Sequence, residues 1–374
     1  MRQRPTSFTP SGAERLPRLD ERFVLVEPLG AGAQGQVFSA FDRSLGVPVA
    51  LKLCSPEERA GLSLEARVLG HLDRAGVAAS PRRLAWLALA DGRRVLVTER
   101  LEGEDLRALA HRRTACGLPP LDRDTLSRAL RALGEVHAAG VIHGDLKPEH
   151  LRLPASGGPA RILDFGAAFA PQALAAAEEL ARARASWPAG RDAPVPQLKR
   201  GAAARSSEAA RSALGAGCAA GERRAVAGTA RFAARKDLRT PRSAAEGGET
   251  SPDEPTELVG SLPYLAPERF FGQPPTVASD LYALAACVLD AIGALAHLGD
   301  LAPQHWHQAH LYGDLRSSML HCRTLEPETT AFVRAALEPD PWRRPCDCAD
   351  ALALLARGAP PRAPAVRVRR RVST

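Results

Sequence analysis

The stretch VIHGDLKPEHL, Val141 to Leu151, sets Asp145 two residues after a histidine and two before Lys147, and RILDFG follows with Asp164. One loop carboxylate can orient an attacking hydroxyl, and a second at a strand-turn can hold a metal ion that neutralises phosphate charge. Upstream, LGAGAQGQVFSAFD spaces Gly30, Gly32 and Gly35 as G-x-G-x-x-G. Dinucleotide-binding units share that spacing, but there the glycines run into a helix. Here a β-type run ending at Asp42 follows, which suits a hairpin laid over phosphates, with backbone N–H groups open because no side chains intervene. VALK then ends in Lys52, and Glu65 sits in SLEARVLGHL, whose apolar spacing is helical. An ion pair between these two would hold the ammonium on the α- and β-phosphates of a nucleotide.

Secondary-structure elements must position these groups. From Phe23 the short runs FVLVEPLG, QVFSAFD, VPVALKL, RRLAWLALA and RRVLVTERL predict a small antiparallel sheet, with one helix around Leu62 to Leu72. Helical periodicity takes over from Leu106, with a long helix over Asp122 to Ala139. Between Ala170 and Glu257 both periods vanish into Ala, Arg, Gly, Ser and Pro, apart from a short helix at PQALAAAEELARARA. That composition predicts a mostly disordered insertion. Helical patterning resumes at Asp280 and runs to about Arg357; LYALAACVLDAIGALAHL, from Leu281, is broken by Asp290 and reads as a buried core helix rather than a membrane span. A Pro-, Arg- and Ser-rich leader, 1–19, and a basic tail, 358–374, flank the whole.

The 374 residues are 45% hydrophobic and 25% charged with a net charge of +8, a globular composition able to bury a sizeable core. The basic excess invites nucleic acid, but 14 Lys and Arg lie between Arg182 and Arg242, where almost no aromatics are available to stack bases. A partner-docking role for the insertion is the better expectation. Seven cysteines lie far apart apart from Cys346 and Cys348, which predicts free thiols in a reducing cytosol, hence a cytoplasmic protein. The start has no apolar stretch of signal-peptide type. His305, His307 and His310, in HWHQAHLYGD, have no ligand-spaced partners and are expected on a partly exposed helix or loop.

GSLPYLAPE, SDLYALA and DPWRRP complete an ordered series of motifs. With them the sequence resembles the eukaryotic-like, Hanks-type Ser/Thr protein kinases also found in bacteria, over about residues 20–357 without the insertion. The resemblance implies an α+β, two-lobed fold: an N-lobe at 20–99 with a small antiparallel sheet and a helical C-lobe at 100–357, the insertion 170–257 falling in the activation segment. It implies ATP with Mg²⁺, and a protein Ser or Thr as acceptor. Gly30, Gly32 and Gly35 match the glycine-rich lid, and Val37 and Ala50 the residues that sandwich adenine. Lys52 and Glu65 match the ion pair, Thr98 the gatekeeper, Glu99 and Leu101 the hinge, and Asp105 the ribose site. Asp145 matches the catalytic base, Lys147 the lysine beside it, and Asp164 a metal ligand. Ser261 stands where the acceptor-binding loop usually has Thr, Glu268 and Arg344 match a structural ion pair, and Asp280 the buried Asp that holds the catalytic loop.

Three features depart from that pattern, one of them the segment from Asp164 to Glu268, whose 105 residues exceed the usual activation segment. Gly144 replaces the Arg that receives an activating phosphate, although Thr256, with Thr250 and Ser251 nearby, is placed to carry one. His150 replaces the Asn that holds the second metal ion. As a ligand, imidazole suits Mn²⁺ better than Mg²⁺, and its protonation is expected to cut activity below about pH 6.5; alternatively, His150 only hydrogen-bonds the loop. A pseudokinase that binds nucleotide or scaffolds without transfer remains open, as does a small-molecule phosphotransferase of the aminoglycoside type, which shares the HGD form.

Overall fold

The structure, a computed structural model, describes residues 19–32, 35–54, 59–89, 91–155, 157–175, 260–299, 301–319 and 325–357. The leader up to residue 18, the insertion beyond residue 175 with Thr250, Ser251 and Thr256, and the tail 358–374 lie outside the described residues.

After a short helix α1, Leu19–Arg22, five strands form one antiparallel sheet in the order β1-β2-β3-β5-β4. They are β1 Phe23–Gly32, β2 Gly35–Asp42, β3 Val47–Cys54, β4 Arg83–Ala88 and β5 Arg94–Glu99. The expected runs are all strands, and β1 extends beyond its run to Gly32, bulging between Leu25 and Glu27 and between Pro28 and Gly30. Helix α2, Arg59–Ala75, interrupts the strands where helical spacing placed it. Its buried Leu62, Ala66, Leu69 and Leu72 recur at three and four, so one face turns inward.

The C-lobe begins with α3, Leu106–Ala115, and α4, Arg123–Ala138. Asp122 caps α4 by accepting the Thr125 N–H, so the predicted boundary rests on a real cap. A two-stranded ribbon, β6 Leu151–Arg152 with β7 Arg161–Ile162, follows the catalytic-type loop. Helix α5 spans Val277–Ala291, and all of its residues from Ser279 to Leu289 are buried. It starts in a capping box between Thr276 and Ser279. It ends earlier than the apolar run suggested, because Gly293, at φ +77°, takes the chain out of helix, and Ala296–Leu298 is a separate 3₁₀ turn. Helices α6 Trp306–Leu311, α7 Asp314–Ser318, α8 Pro327–Ala336 and α9 Cys348–Arg357 complete the lobe, with α8 and α9 packed on α4 and α8 also on α5.

The apolar core divides differently from the lobes. A small cluster of Phe23, Ala40, Val49, Leu51, Val95 and Val97 lies within the sheet. The larger cluster is continuous from α2 through Phe165 to α4 and α5, so α2, an N-lobe element by sequence, shares its core with the C-lobe. Each fully buried Leu in it contributes about 1.5–3 kcal/mol. Among the described residues no helix is long and apolar enough to cross a membrane, and none of the described cysteines forms a disulfide.

Candidate active site

The glycine-rich segment closes the β1–β2 hairpin, with Gly32 opposite Gly35. Gly35 has φ +107°, and a Cβ there would lie 2.0 Å from the Leu53 carbonyl oxygen, so only glycine fits. Val37 pairs with Lys52 across β2–β3, and Ala50 with Thr98 across β3–β5. Alternation along β3 puts Ala50 and Lys52 on one face of the sheet. Thr98 and Glu99 end β5, where Glu99 accepts from the Arg161 guanidinium at 2.8 Å, and Leu101 follows. Asp105 caps α3 by accepting the Ala108 N–H through Oδ1.

Lys52 Nζ donates to Glu65 Oε2 at 2.7 Å and to Asp164 Oδ1 at 2.9 Å, joining β3, α2 and the turn after β7 at one point. Burial works against charge at Lys52, yet the Glu65 and Asp164 carboxylates outweigh it and raise the ammonium's pKa. Burial pushes Glu65 the other way, above the usual carboxylate range. Burial also opposes charge at Asp164, but Lys52 brings its pKa down to about 2. Asp164 is the one non-glycine residue with positive φ, +62°, among the described residues. That backbone costs about 1–3 kcal/mol and is held by its surroundings. His143 Nε2, 2.9 Å from the Leu163 carbonyl, and the Gly166 N–H, bonded to Asp164 Oδ1, flank it on both sides.

The catalytic-type loop hangs on Asp280. Its carboxylate accepts the His143 N–H at 2.8 Å, the Gly144 N–H at 2.9 Å and a bond from His137 Nε2 at 2.9 Å. Although burial opposes it, hydrogen bonding to His137 keeps Asp280 below the usual carboxylate range. Asp145, two residues past His143, accepts the Ser261 N–H at 2.6 Å through Oδ1. The serine's backbone, rather than its hydroxyl, makes this contact. Lys147 precedes the 3₁₀ turn Pro148–His150, without a side-chain bond to it, and is half-buried.

His150 is buried, with Nδ1 2.9 Å from the Asp145 carbonyl and Nε2 3.6 Å from Asp164 Oδ2. A carbonyl only accepts, so Nδ1 carries the proton of the neutral ring and Nε2 presents its lone pair to the carboxylate. Burial, with help from His143 and Lys147, lowers its pKa to about 3. This burial favours the neutral ring and moves the expected acid loss of activity through this residue to below pH 6.5. Two acceptors face one another with no donor between them, an arrangement that a cation would bridge. No three His, Cys, Asp or Glu among the described residues form a metal cage. A two-ligand site completed by phosphate oxygens and water is what the donors present fit, as Mg²⁺ and Mn²⁺ sites on nucleotides commonly are.

Gly144 has φ +78°, and a Cβ there would sit 2.6 Å from the Ala167 carbonyl oxygen. Glycine at this position is thus a requirement of the backbone and of the strand-like pairing between Ile142 and Phe169. Glu268 and Arg344 form the expected pair, two bonds of 2.7 Å with the guanidinium side chain fully buried.

Two groupings had no local signal. Arg107, on α3, binds Glu149, Asp290 and the Tyr264 hydroxyl, residues brought from the loop, the end of α5 and the Ser261 segment. Of the three histidines expected to be partly exposed, His305 and His307 are, but His310 is buried at 1% exposure. Helix α6 turns it inward, onto Tyr282 and the Leu262 carbonyl.

Residues 23–180 match the family model of the protein kinase domain. Serine/threonine-protein kinase pkn2 of Myxococcus xanthus is 33% identical over 159 residues, 40% of this chain and 18% of that protein. Serine/threonine-protein kinase PknA of Mycobacterium tuberculosis is 33% identical over 162 residues, 41% of this chain and 37% of PknA. A fungal relative, mitogen-activated protein kinase HOG1B of Wallemia ichthyophaga, is 31% identical over 160 residues, 40% of each chain. This chain thus spans well under half of the length of these relatives. Motif order, fold and matches agree in making residues 23–180 similar to the protein kinase domain of Ser/Thr protein kinases.

Proposed function

We propose that the protein transfers the γ-phosphoryl group of ATP to Ser or Thr of a protein substrate in the cytoplasm. The observation that carries this reading is Lys52 bonded at once to Glu65 and Asp164, because it draws the nucleotide-side groups of three elements into one assembled site. In the reading, Glu65 aims Lys52 at the α- and β-phosphates, and Gly30, Gly32 and Gly35 cover them. Val37 and Ala50 sandwich adenine, and Glu99 and Leu101 offer backbone groups at the hinge. Asp105 keeps Oδ2 for a ribose hydroxyl. Asp145 orients the acceptor hydroxyl and takes its proton as the oxygen bonds to the γ-phosphorus and the bond from that phosphorus to the bridging oxygen breaks, releasing ADP, and Lys147 faces the transferred phosphoryl group. Asp164 and His150 would hold a divalent ion, which would supply positive charge to the phosphate oxygens. The insertion 170–257 serves as a docking segment for a partner.

His150 is the one residue that favours the alternative reading, a pseudokinase that binds nucleotide without transfer. Incubation of the purified chain with γ-labelled ATP and either Mg²⁺ or Mn²⁺ tests the reading. Wild type is expected to transfer phosphate faster with Mn²⁺, and His150→Asn to shift the preference towards Mg²⁺. Equal preference in the two proteins would remove His150 from the metal site. No transfer by wild type with either metal, together with recovery in His150→Asn, would make the natural protein a pseudokinase.

A further inference from the structure

The segment that follows Gly260 is tied down at three points. The Ser261 N–H bonds Asp145, the Tyr264 hydroxyl bonds Asp290 and Arg107, and the Leu262 carbonyl meets His310 Nε2 at 2.8 Å. The first two ties lie at the catalytic-type loop and the end of α5. The third comes from α6, a helix that no kinase motif of the sequence covers. On its other side, His310 Nδ1 lies 2.8 Å from the Tyr282 hydroxyl.

These contacts settle the tautomer. The Leu262 carbonyl only accepts, so Nε2 carries the hydrogen; Nδ1 then has a lone pair and receives the Tyr282 O–H. Burial lowers the His310 pKa to about 4, so the ring stays neutral at physiological pH. The rings of Phe270, Tyr282 and Trp306, at centroid distances of 5.4, 5.6 and 5.8 Å, surround it and fix its plane. A buried donor whose geometry is set on every side holds its acceptor more closely than a mobile surface group does.

We infer that His310 is a positioning residue for phosphoryl transfer: through Leu262 it sets where the Ser261–Tyr264 segment, and with it the acceptor peptide, lies relative to Asp145. The inference rests on the kinase reading for its effect on activity, while the bridge itself is a property of the fold. Of the natural side chains, Gln comes nearest to keeping the donor, because its amide nitrogen falls near the place of Nε2. Phe keeps the volume and loses both bonds.

The test uses the full chain, wild type and the variants His310→Gln, His310→Phe and Tyr282→Phe. Three readouts are taken: the ¹⁵N shifts of His310, amide exchange at Tyr264 and Leu265, and separate KM and kcat values for ATP and for dephosphorylated casein. Tyr264 and Leu265 are chosen because their N–H groups close turns onto the Ser261 and Leu262 carbonyls. Wild type is expected to show the Nε2–H tautomer across about pH 5.5 to 8. Loss of the bridge in His310→Phe is expected to speed exchange and raise the casein KM, each about tenfold, with the ATP KM unchanged; Gln stays within about threefold of wild type. Tyr282→Phe falls between them, since it leaves Nδ1 without a donor. The inference is overturned if the Nδ1–H tautomer is found, if exchange at Tyr264 and Leu265 does not change in His310→Phe, or if Gln behaves like Phe with both KM values moving together. Absence of transfer in wild type would sink the kinase reading alone, because the tautomer and exchange measurements read the bridge directly.

Discussion

At the scale of single residues, Lys52 shows how far the site departs from an exposed charge. Its side chain is 12% exposed and its partner Glu65 7%, so the pair lies inside the protein rather than on a solvated edge. Removing one partner leaves the other buried and uncompensated, which costs about 3–5 kcal/mol. Lys52→Ala is therefore expected to lose at least about a hundredfold in transfer rate and also to melt at a lower temperature. Adding Glu65→Gln is expected to recover much of the stability and none of the activity, checked by thermal denaturation beside the labelled-ATP assay. His310 supplies a pH signature. Its pKa falls from 6.5 to about 4 on folding, so as pH drops below 6.5 the unfolded chain binds a proton that the folded chain refuses. This contribution to stability is complete above pH 6.5 and is lost progressively towards pH 4. His310→Gln is expected to flatten the dependence of denaturant midpoint on pH across that window; an unchanged slope would mean that the ring is already charged in the fold.

At the scale of elements, the catalytic-type loop and the segment after Asp164 approach so closely that the sequence between His143 and Asp145 is constrained. Gly144 accepts a left-handed backbone and leaves room for the Ala167 carbonyl. Replacement of an Arg by Gly at this point therefore changes more than a phosphate receptor: it goes with a backbone that a side chain strains. Gly144→Ala is expected to cost about 1–3 kcal/mol and to reduce transfer by displacing Asp145 or the 164–169 segment. Gly144→Arg is expected to do the same and to confer no phosphate dependence. Enzyme activity and melting temperature measured together check both; an Arg variant as stable and active as wild type would show that the loop relaxes freely.

For the whole molecule, the contacts that assemble the site among the described residues join Lys52, Glu65, His143, Asp145, Leu163 and Asp164 with Ser261, across the long segment between Leu174 and Gly260. A connecting segment adds closure entropy only slowly with length. Deleting residues 181–249 is expected to leave melting temperature and casein transfer close to those of wild type. Loss of soluble, folded protein on deletion would show that the segment contributes to the core. If it is instead a docking segment, the deletion costs recognition of a partner and spares the basal reaction.

Local chemistry in the sequence was enough to place most of the elements and to single out residues that the fold brings together around Lys52 and Asp280. Alternation defined β1 to β5, the Asp122 cap and three-and-four spacing defined α4, and the ordered motifs brought Lys52, Glu65, Asp145, Asp164, Asp280, Glu268 and Arg344 into view. These features are short-range, or belong to motifs whose order is itself informative. What only tertiary structure decided depends on how distant segments meet. The hub at Arg107 joins residues up to 183 apart, the inward face of α6 is set by its packing on Tyr282, and the protonation of His150 and His310 is set by desolvation that no spacing reveals. Periodicity reports which face of an element is apolar, whereas the electrostatic state of a buried polar side chain depends on every group packed around it.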